Sequence, residues 1–577
     1  MLGFPPSYFV MLLFIATIAG LIKFQNKPEQ VFGILLLVLY ASNLVTTQQV
    51  IASFANQGLL TLVLLMICSL ALEKTKLLRL IANFVIKPNY KATWVRLFSM
   101  TALSSAVLNN TAVVSTMLAP IRNNPHHAAS RLLLPLSYAA ILGGTLTLVG
   151  TSTNLIVNSM VLDADLPSLR FFDFTAVGAC LVLGCGVLLY FLSRFLPERE
   201  RDQVEAADYF IDAKVQPGSN LIGKSIESNG LRNLESLFLV EILREGRLVT
   251  PVSPQEVIEE GDRLMFSGDI KKVTLLNQFD GLQLFAHQNG LPLNNLIEVV
   301  IRPESVLAGK TLKHAGFRAL FDAAVVAMKR DGEQVSGKLG EMTLKPGDYL
   351  VLAVGEDFKS RHNINKNFYV ISGVETEKQL EGKKGHLATA GFFGAILLSA
   401  LNLVPLFQGM LLLLGIFLIT GCLSANEILQ RLPRQIWLII SSALLLSQAL
   451  VNTDGLAFLT SVVESNQAVL TPFVGLVVVY VFTWLLTELV TNNAAAALMF
   501  PIAYSLGLGL DANLHSYILA VAFGASASFI SPYGYQTNLM VHNAGQYKII
   551  DFIRVGTPIS LLYGTITIAA ITLFYGV

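Results

Sequence analysis

Charge is what this 577-residue sequence lacks most: 14% of its residues are Asp, Glu, Lys or Arg, against roughly 25% in soluble globular chains. That scarcity excludes a soluble multidomain enzyme. Its 40 basic and 39 acidic residues nearly cancel, leaving +1, so no global field favours nucleic acid. Cysteine is rare too. Cys68, Cys180, Cys185 and Cys422 lie in apolar runs without metal-ligand spacing. This excludes a disulfide framework and a zinc site, and leaves them as small buried hydrophobes. The N-terminus has neither a basic n-region nor a small-residue cleavage site, so the first apolar run is expected to be a retained helix and not a signal peptide.

What is abundant is hydrophobic sequence, 53% of the chain. A bilayer core takes about 20 apolar residues per helix. Apolar runs fall at 8–24, 30–46 and 57–73, and a basic amphipathic segment follows at 74–96. Low-charge sequence then covers 97–162 and 172–196. Composition changes near Pro197, and charge concentrates in 197–385. Apolar runs return at 386–404, 407–424, 434–452, 470–486, 487–510, 513–542 and 556–576. The expected fold class is therefore an α-helical polytopic membrane protein, with membrane half one at 1–196 and membrane half two at 386–577. A soluble insert lies between them. Lys/Arg bias in short loops sets orientation. Lys74, Lys76, Arg79, Lys87, Lys91, Arg96, Arg122, Arg131, Arg431 and Arg434 share one side only if 97–121 is a re-entrant hairpin. The insert is then cytoplasmic, both chain ends lie outside, and the protein is expected to be multi-pass in the inner (plasma) membrane.

Two internal repeats follow. Ser105-Ala106-Val107-Leu108-Asn109-Asn110-Thr111-Ala112 matches Glu488-Leu489-Val490-Thr491-Asn492-Asn493-Ala494-Ala495, and Pro120 and Pro501 follow at similar distances. Gly143-Gly144-Thr145…Thr153-Asn154-Leu155 matches Gly524-Ala525-Ser526…Thr537-Asn538-Leu539. By the loop arithmetic 97–121 enters from the cytoplasm and 487–510 from outside. Such inverted repeats with broken helices mark secondary transporters whose site lies near the midplane.

Asn-Asn-Thr and Thr-Asn-Asn are costly in hydrocarbon unless partnered. The Gly/Ser/Thr runs at 143–153 and 524–538 favour helix breaks, whose free N–H groups suit an anion. Carbonyls freed at the same breaks suit a small cation. Hydrogen bonding between packed helices is the plainer role for one such cluster; four related clusters favour a transport site. No Lys or Arg lies within 98–121, 132–162, 485–510 or 516–541, so an anion there is expected to be held by dipoles, amides and hydroxyls, together with bound cations. Glu488 is the one acid in these segments and takes the place of Ser105. An intramembrane carboxylate is a candidate proton carrier or cation ligand.

Asn109-Asn110-Thr111 resembles the Ser-Asn-Thr hairpin motif of the divalent anion–sodium symporter (DASS) family of the ion transporter superfamily. Gly143-Gly144-Thr145 with Gly150-Thr151-Ser152-Thr153-Asn154 is similar to that family's following broken helix. Thr487 to Ala494 and Ser531 to Asn538 resemble its sulfate-permease branch. The resemblance covers about two thirds of the chain. It implies an eleven-span-like inverted repeat, homodimers embedded in membrane lipid, an elevator-type movement, and no enzymatic activity or bound cofactor. Carried over by motif, Ser105, Asn109, Asn110 and Gly150 form a first sodium site, and Glu488, Thr491, Asn493 and Ser531 surround a second. Asn109, Asn110, Thr111, Asn492, Asn493 and Thr537 face the anion. Asn109 and Asn492 replace the first Ser of each motif and Ala494 a Thr, which disfavours a di- or tricarboxylate. Glu488 favours proton coupling over a strict second sodium site. The expected function is import of a small divalent oxyanion, sulfate foremost, with sodium or protons; the alternative is a cation/proton antiporter or metalloid anion exporter of the same superfamily.

The insert carries its own repeat. Leu221-Ile222-Gly223-Lys224-Ser225, Arg244, Gly246 and Gly261-Asp262 recur 86 residues later as Leu307-Ala308-Gly309-Lys310-Thr311, Arg330, Gly332 and Gly347-Asp348. Two small α+β modules are expected, at 206–288 and 292–372. Gly218 to Ser225 fits the P-loop spacing, but Val215-Gln216-Pro217 precedes it, no Walker-B-like apolar run ending in Asp fits a nucleotide domain, and the second copy has Glu304 in place of the first Gly. A structural turn is the better reading. Pro532-Tyr533-Gly534-Tyr535 echoes a potassium-filter strand without a pore-helix context, so a channel is not expected. Both modules resemble the TrkA-C (RCK C-terminal) regulatory domain, which implies regulation and, in some members, a nucleotide ligand.

Overall fold

The computed structural model of the protein describes residues 5–24, 27–75, 81, 84–122, 124–198, 210–231, 234, 237–245, 247–268, 276, 279–284, 296–303, 305–330, 333–335, 339–355, 357–358, 361, 363–372, 380, 382–456 and 470–577. The fold is mostly helical. Among the described residues, six helices are long and apolar enough to cross a membrane: Pro6–Lys23, Thr47–Glu73, Thr175–Phe195, Arg434–Asn452, Pro472–Leu489 and Ile549–Tyr575.

The first half opens with α1 (Pro6–Lys23), α2 (Pro28–Ala41), α3 (Thr47–Phe54) and α4 (Gln57–Glu73). The Asn56 side chain accepts from the N–H groups of Gly58 and Leu59, so α4 starts on a satisfied cap. Next come α5 (Tyr90–Ser105), a turn at 106–109, and α6 (Asn110–Arg122). Helix α7 (Leu133–Gly144) is followed by a non-helical stretch at 145–151, then α8 (Ser152–Asp163) and α9 (Thr175–Leu192).

The second half holds α10 (Lys383–Ala400), α11 (Leu406–Thr420), α12 (Ala425–Arg431) and α13 (Arg434–Asn452). Then α14 (Pro472–Leu489) meets α15 (Asn492–Gly509) across a two-residue turn. Helix α16 (Leu514–Ser526), a non-helical stretch at 527–535, α17 (Gln536–Ala544) and α18 (Ile549–Tyr575) complete the chain.

Hydropathy misplaced the ends of these elements. Helix α5 begins at Tyr90, inside the basic segment, because the Asn89 side chain caps it by accepting from the Lys91 N–H. Helix α14 runs on through Thr487-Glu488-Leu489 and stops where Val490 turns extended, at φ −126° and ψ −161°. The break therefore falls at 490–491 and not at 487. The apolar run 513–542 is likewise two helices. A window average registers greasiness, whereas a helix ends where backbone groups find other partners.

One hydrophobic core joins the two halves, with Leu62, Val113, Tyr138 and Leu155 buried beside Ala495, Phe523 and Tyr563. Helix α5 lies against α7, and α14, α15 and α16 pack together. Close approach sets the first of these contacts: a Cβ on Gly143 would sit 2.2 Å from the Ala102 carbonyl oxygen.

The insert forms two five-stranded antiparallel sheets. The first contains β1 (Phe210–Val215), β2 (Leu237–Arg244), β3 (Arg247–Val249), β4 (Arg263–Gly268) and β5 (Leu282–Leu284) in the order β3-β2-β4-β1-β5. The second contains β6 (Leu296–Ile301), β7 (Ala323–Arg330), β8 (Glu333–Gln334), β9 (Tyr349–Val354) and β10 (Phe368–Ser372) in the order β10-β6-β9-β7-β8. The two orders are the same topology, strand for strand. In each sheet the repeated arginine forks onto the repeated aspartate: Arg244 Nε and Nη2 both lie 2.9 Å from Asp262, and Arg330 lies 2.7 and 2.6 Å from Asp348. Gly223 and Gly309 adopt left-handed φ values of +77° and +79°. Among the described residues of 218–231 no helix follows, so Gly-Lys-Ser/Thr is a turn that pairs Ser225 with Val257 and Thr311 with Thr343.

Candidate functional site

Two helices from each repeat begin on one cavity of about 440 Å3, as Asn110 of α6, Ser152 of α8, Asn492 of α15 and Gln536 of α17 all line it, and α13 also begins there at Arg434. Each of the four repeat-derived starts follows a turn or break. Asn109 accepts from the Thr111 N–H at 3.0 Å, and Thr491 accepts from the Ala494 N–H at 3.4 Å, so both turns carry their own caps. Several unpaired N–H groups still remain at such starts, with the positive dipole end.

Hydrogen bonds tie the repeats together across the cavity wall. Ser105 Oγ donates to Asn110 Oδ1. Asn110 Nδ2 donates to the Tyr535 hydroxyl at 2.7 Å, and that hydroxyl lies 3.1 Å from Thr151 Oγ1. Thr111 Oγ1 donates to Gln536 Oε1 at 3.2 Å, and Ser152 Oγ donates to Asn493 Oδ1 at 2.8 Å. Behind the wall, Ser137 donates to Thr537 at 2.8 Å and to Asn538 at 2.7 Å.

The breaks are held by equivalent residues. Asn154 Nδ2 donates to the Thr147 carbonyl at 2.9 Å, and Asn538 Nδ2 to the Ser528 carbonyl at 3.0 Å. Glu488 does the rest in the second copy. Its carboxylate accepts from the N–H groups of Phe529, Ile530 and Ser531 at 2.9, 3.0 and 2.9 Å. Three successive amides on one carboxylate are strong, charge-assisted bonds.

Of the residues singled out in the sequence, Asn109, Asn110, Thr111, Gly150, Asn492 and Asn493 line the one cavity. Ser105, Glu488, Thr491, Ser531 and Thr537 do not line it. Ser105 and Thr537 are fully buried behind it. Sequence reasoning missed Tyr535 and Gln536, although the first of them had drawn notice inside a filter-like tetrad. Its place immediately before α17 was the available signal. The expectation that no basic residue reaches the site also needs correction. The Asn-bearing repeat segments supply none, but Arg302 and Lys366 of the insert, Arg431 at the end of α12 and Arg434 at the start of α13 line the same cavity. The scarcity was local to the segments, and folding brings charge in from outside them.

The sequence profile of the CitMHS citrate transporter family matches residues 12–524. A Chlamydomonas reinhardtii protein named as a sulfur deprivation response regulator is 31% identical over 569 residues, 93% of this chain and 96% of that protein. An uncharacterized transporter of Synechocystis is 29% identical over 570 residues, 94% of this chain and 92% of its own length. Sodium/sulfate cotransporter 1 of C. reinhardtii is 29% identical over 367 residues, 61% of this chain and 42% of that larger protein.

Proposed function

The chain belongs to the CitMHS citrate transporter family, and from that premise we propose that it is a secondary active importer of a small divalent oxyanion, sulfate foremost. The observation that carries this reading is the convergence of two helix N-termini from each repeat on one cavity. Free N–H groups and helix dipoles favour a compact anion. Relatives named as sodium/sulfate cotransporters support sulfate and sodium as cargo.

The anion is held by Asn109, Asn110, Thr111, Asn492 and Asn493, with Tyr535 orienting Asn110. Thr537 acts from behind, through Ser137. One cation site is built on Ser105, Asn109, Asn110 and Gly150. The second involves Thr491, Asn493, Ser531 and Glu488, which couples sodium or protons through the break it holds. The two helix–turn–helix units, α5–α6 and α14–α15, are re-entrant, inverted copies, and they move as an elevator within a homodimer. The sheet modules act as cytoplasmic TrkA-C-like regulators, open to a nucleotide ligand.

The test is uptake of radiolabelled sulfate by proteoliposomes under an imposed sodium or proton gradient, with citrate as competitor. Gradient-driven uptake resistant to excess citrate is the expected result. Uptake of citrate in preference to sulfate would replace the substrate, and proton flux exchanged for sodium without anion movement would replace the reaction with antiport.

A further inference from the structure

The cavity is lined by amides, hydroxyls and apolar side chains such as Leu62, Val107 and Phe392, and also by four basic residues. Arg302 and Lys366 come from the second sheet module, Arg431 from the end of α12 and Arg434 from the start of α13. Glu73 is the acid among the described lining residues. The module is held in place there. Arg122, the last residue of α6, lies 2.8 Å from Glu298 and donates to the Tyr349 hydroxyl at 2.6 Å. Asn543 of α17 donates to the Gly347 carbonyl.

Arg302 and Lys366 sit on one fixed corner. The Arg302 N–H donates to the Asn367 carbonyl at 2.9 Å. The buried Asn367 side chain accepts from Ser305 and from the Val306 N–H, at 3.0 and 2.9 Å, and donates to the Asn363 carbonyl at 2.8 Å. The Arg302 guanidinium lies over the Tyr369 ring, 4.4 Å from its centroid, and Tyr369 lines the cavity as well. Its Nε is buried without a hydrogen-bond partner. Stacking fixes the plane of the guanidinium and leaves donors free for an anion.

The sibling module provides an internal control. With the 86-residue offset, Arg302, Lys366 and Tyr369 correspond to Gln216, Asp280 and Gln283. The backbone bond is the same in both copies, since the Gln216 N–H donates to the Gly281 carbonyl at 2.8 Å. The strand scaffold and the Arg–Asp fork are thus shared, while the basic and aromatic side chains belong to the copy that reaches the cavity. A requirement of the module fold would appear in both copies.

We infer that the second sheet module is part of the anion's binding path, with Arg302 and Lys366 as a basic antechamber that concentrates an oxyanion at the cavity. This rests on the proposed anion reading and gives the module a direct role in substrate affinity. The experiment is equilibrium binding of radiolabelled sulfate to the full chain in nanodiscs, at low and physiological ionic strength. It compares wild type with Arg302→Gln, Lys366→Asp and Arg302→Lys. The Gln and Asp variants install the sibling's residues. Loss of one or two charges near a dianion should weaken binding about three- to tenfold and flatten its salt dependence. Arg302→Lys should keep most of the affinity. Variants with wild-type affinity and salt dependence overturn the inference. Absence of sulfate binding by the wild type overturns the anion reading itself.

Discussion

Asn110 is where the two halves meet most closely. It accepts from Ser105, donates to Tyr535 and is 3% exposed. Tyr535→Phe removes the shared acceptor and strands a buried amide donor, at about 1–3 kcal/mol. The expected outcome is a folded protein with uptake reduced about tenfold; uptake at the wild-type rate would detach Tyr535 from the site. Glu488 was legible in the sequence as the one acid in the paired repeat segments, but its partners were not. Glu488→Gln replaces one carboxylate oxygen with a donor, so at least one of the three backbone N–H groups loses its acceptor and the others lose the charge, and both uptake and melting temperature should fall. A variant with wild-type melting temperature and coupling would remove Glu488 from both roles. The reason for the blind spot is simple: the three amides belong to residues 529–531, some forty positions away, and any residue type offers an N–H.

At the scale of elements, the site consists of helix starts, and the starts exist because the chain can double back at small residues. A Cβ on Gly150 would lie 2.5 Å from the Gly144 carbonyl oxygen, and one on Gly144 would lie 2.9 Å from the Asn110 amide. Neither neighbour is free to withdraw. Gly150→Ala should therefore cost about 1–3 kcal/mol through overpacking and reduce uptake more than it reduces expression. Uptake unchanged in that variant would mean the break at 145–151 is not rigid. The repeats, with Asn154 and Asn538 in matching positions, announced the breaks before their geometry was known. Their boundaries were hidden, because caps such as Asn89 and Asn56 act through one hydrogen bond that a hydropathy window averages away.

Across the whole molecule, charged contacts join parts that are distant in sequence, among them Arg122–Glu298 and Lys74–Glu427. Arg122 and Glu298 link α6 to the second module, with side chains 8% and 17% exposed. The 2.8 Å approach is ionic, with an angle unsuited to a hydrogen bond. Removing one partner of such a pair costs about 3–5 kcal/mol by stranding the other. Arg122→Met and Glu298→Met should each lower the melting temperature, and the double variant should lose less than the sum; strict additivity would show no coupling. The second contact joins Lys74, at the end of α4, to Glu427 of α12. Burial pushes the Glu427 carboxyl up, but the Lys74 ammonium and the Ser424 N–H outweigh it and hold it below the ordinary carboxylate value. A carboxyl lowered by folding stabilises fully above its unfolded value and loses that contribution as pH falls through the folded one. The melting-temperature gap between wild type and Glu427→Gln should accordingly close under acid; a gap constant with pH would deny the ion pair any part.

The sequence by itself determined that the chain is a polytopic membrane protein with an insert, that each part is internally duplicated, and that paired Asn-rich segments interrupt the apolar runs with polar groups. Those features are written along the chain as hydropathy and recurrence, so they need no knowledge of contacts. Only the tertiary structure decided which turns share a cavity, that Glu488 faces backbone amides, and that Arg302 and Lys366 enter from the insert. Asn109 and Asn492 stand 383 residues apart, and packing alone brings such residues to one cavity. The dearth of charge is a property of segments, whereas the field inside a cavity is summed over every element that reaches it.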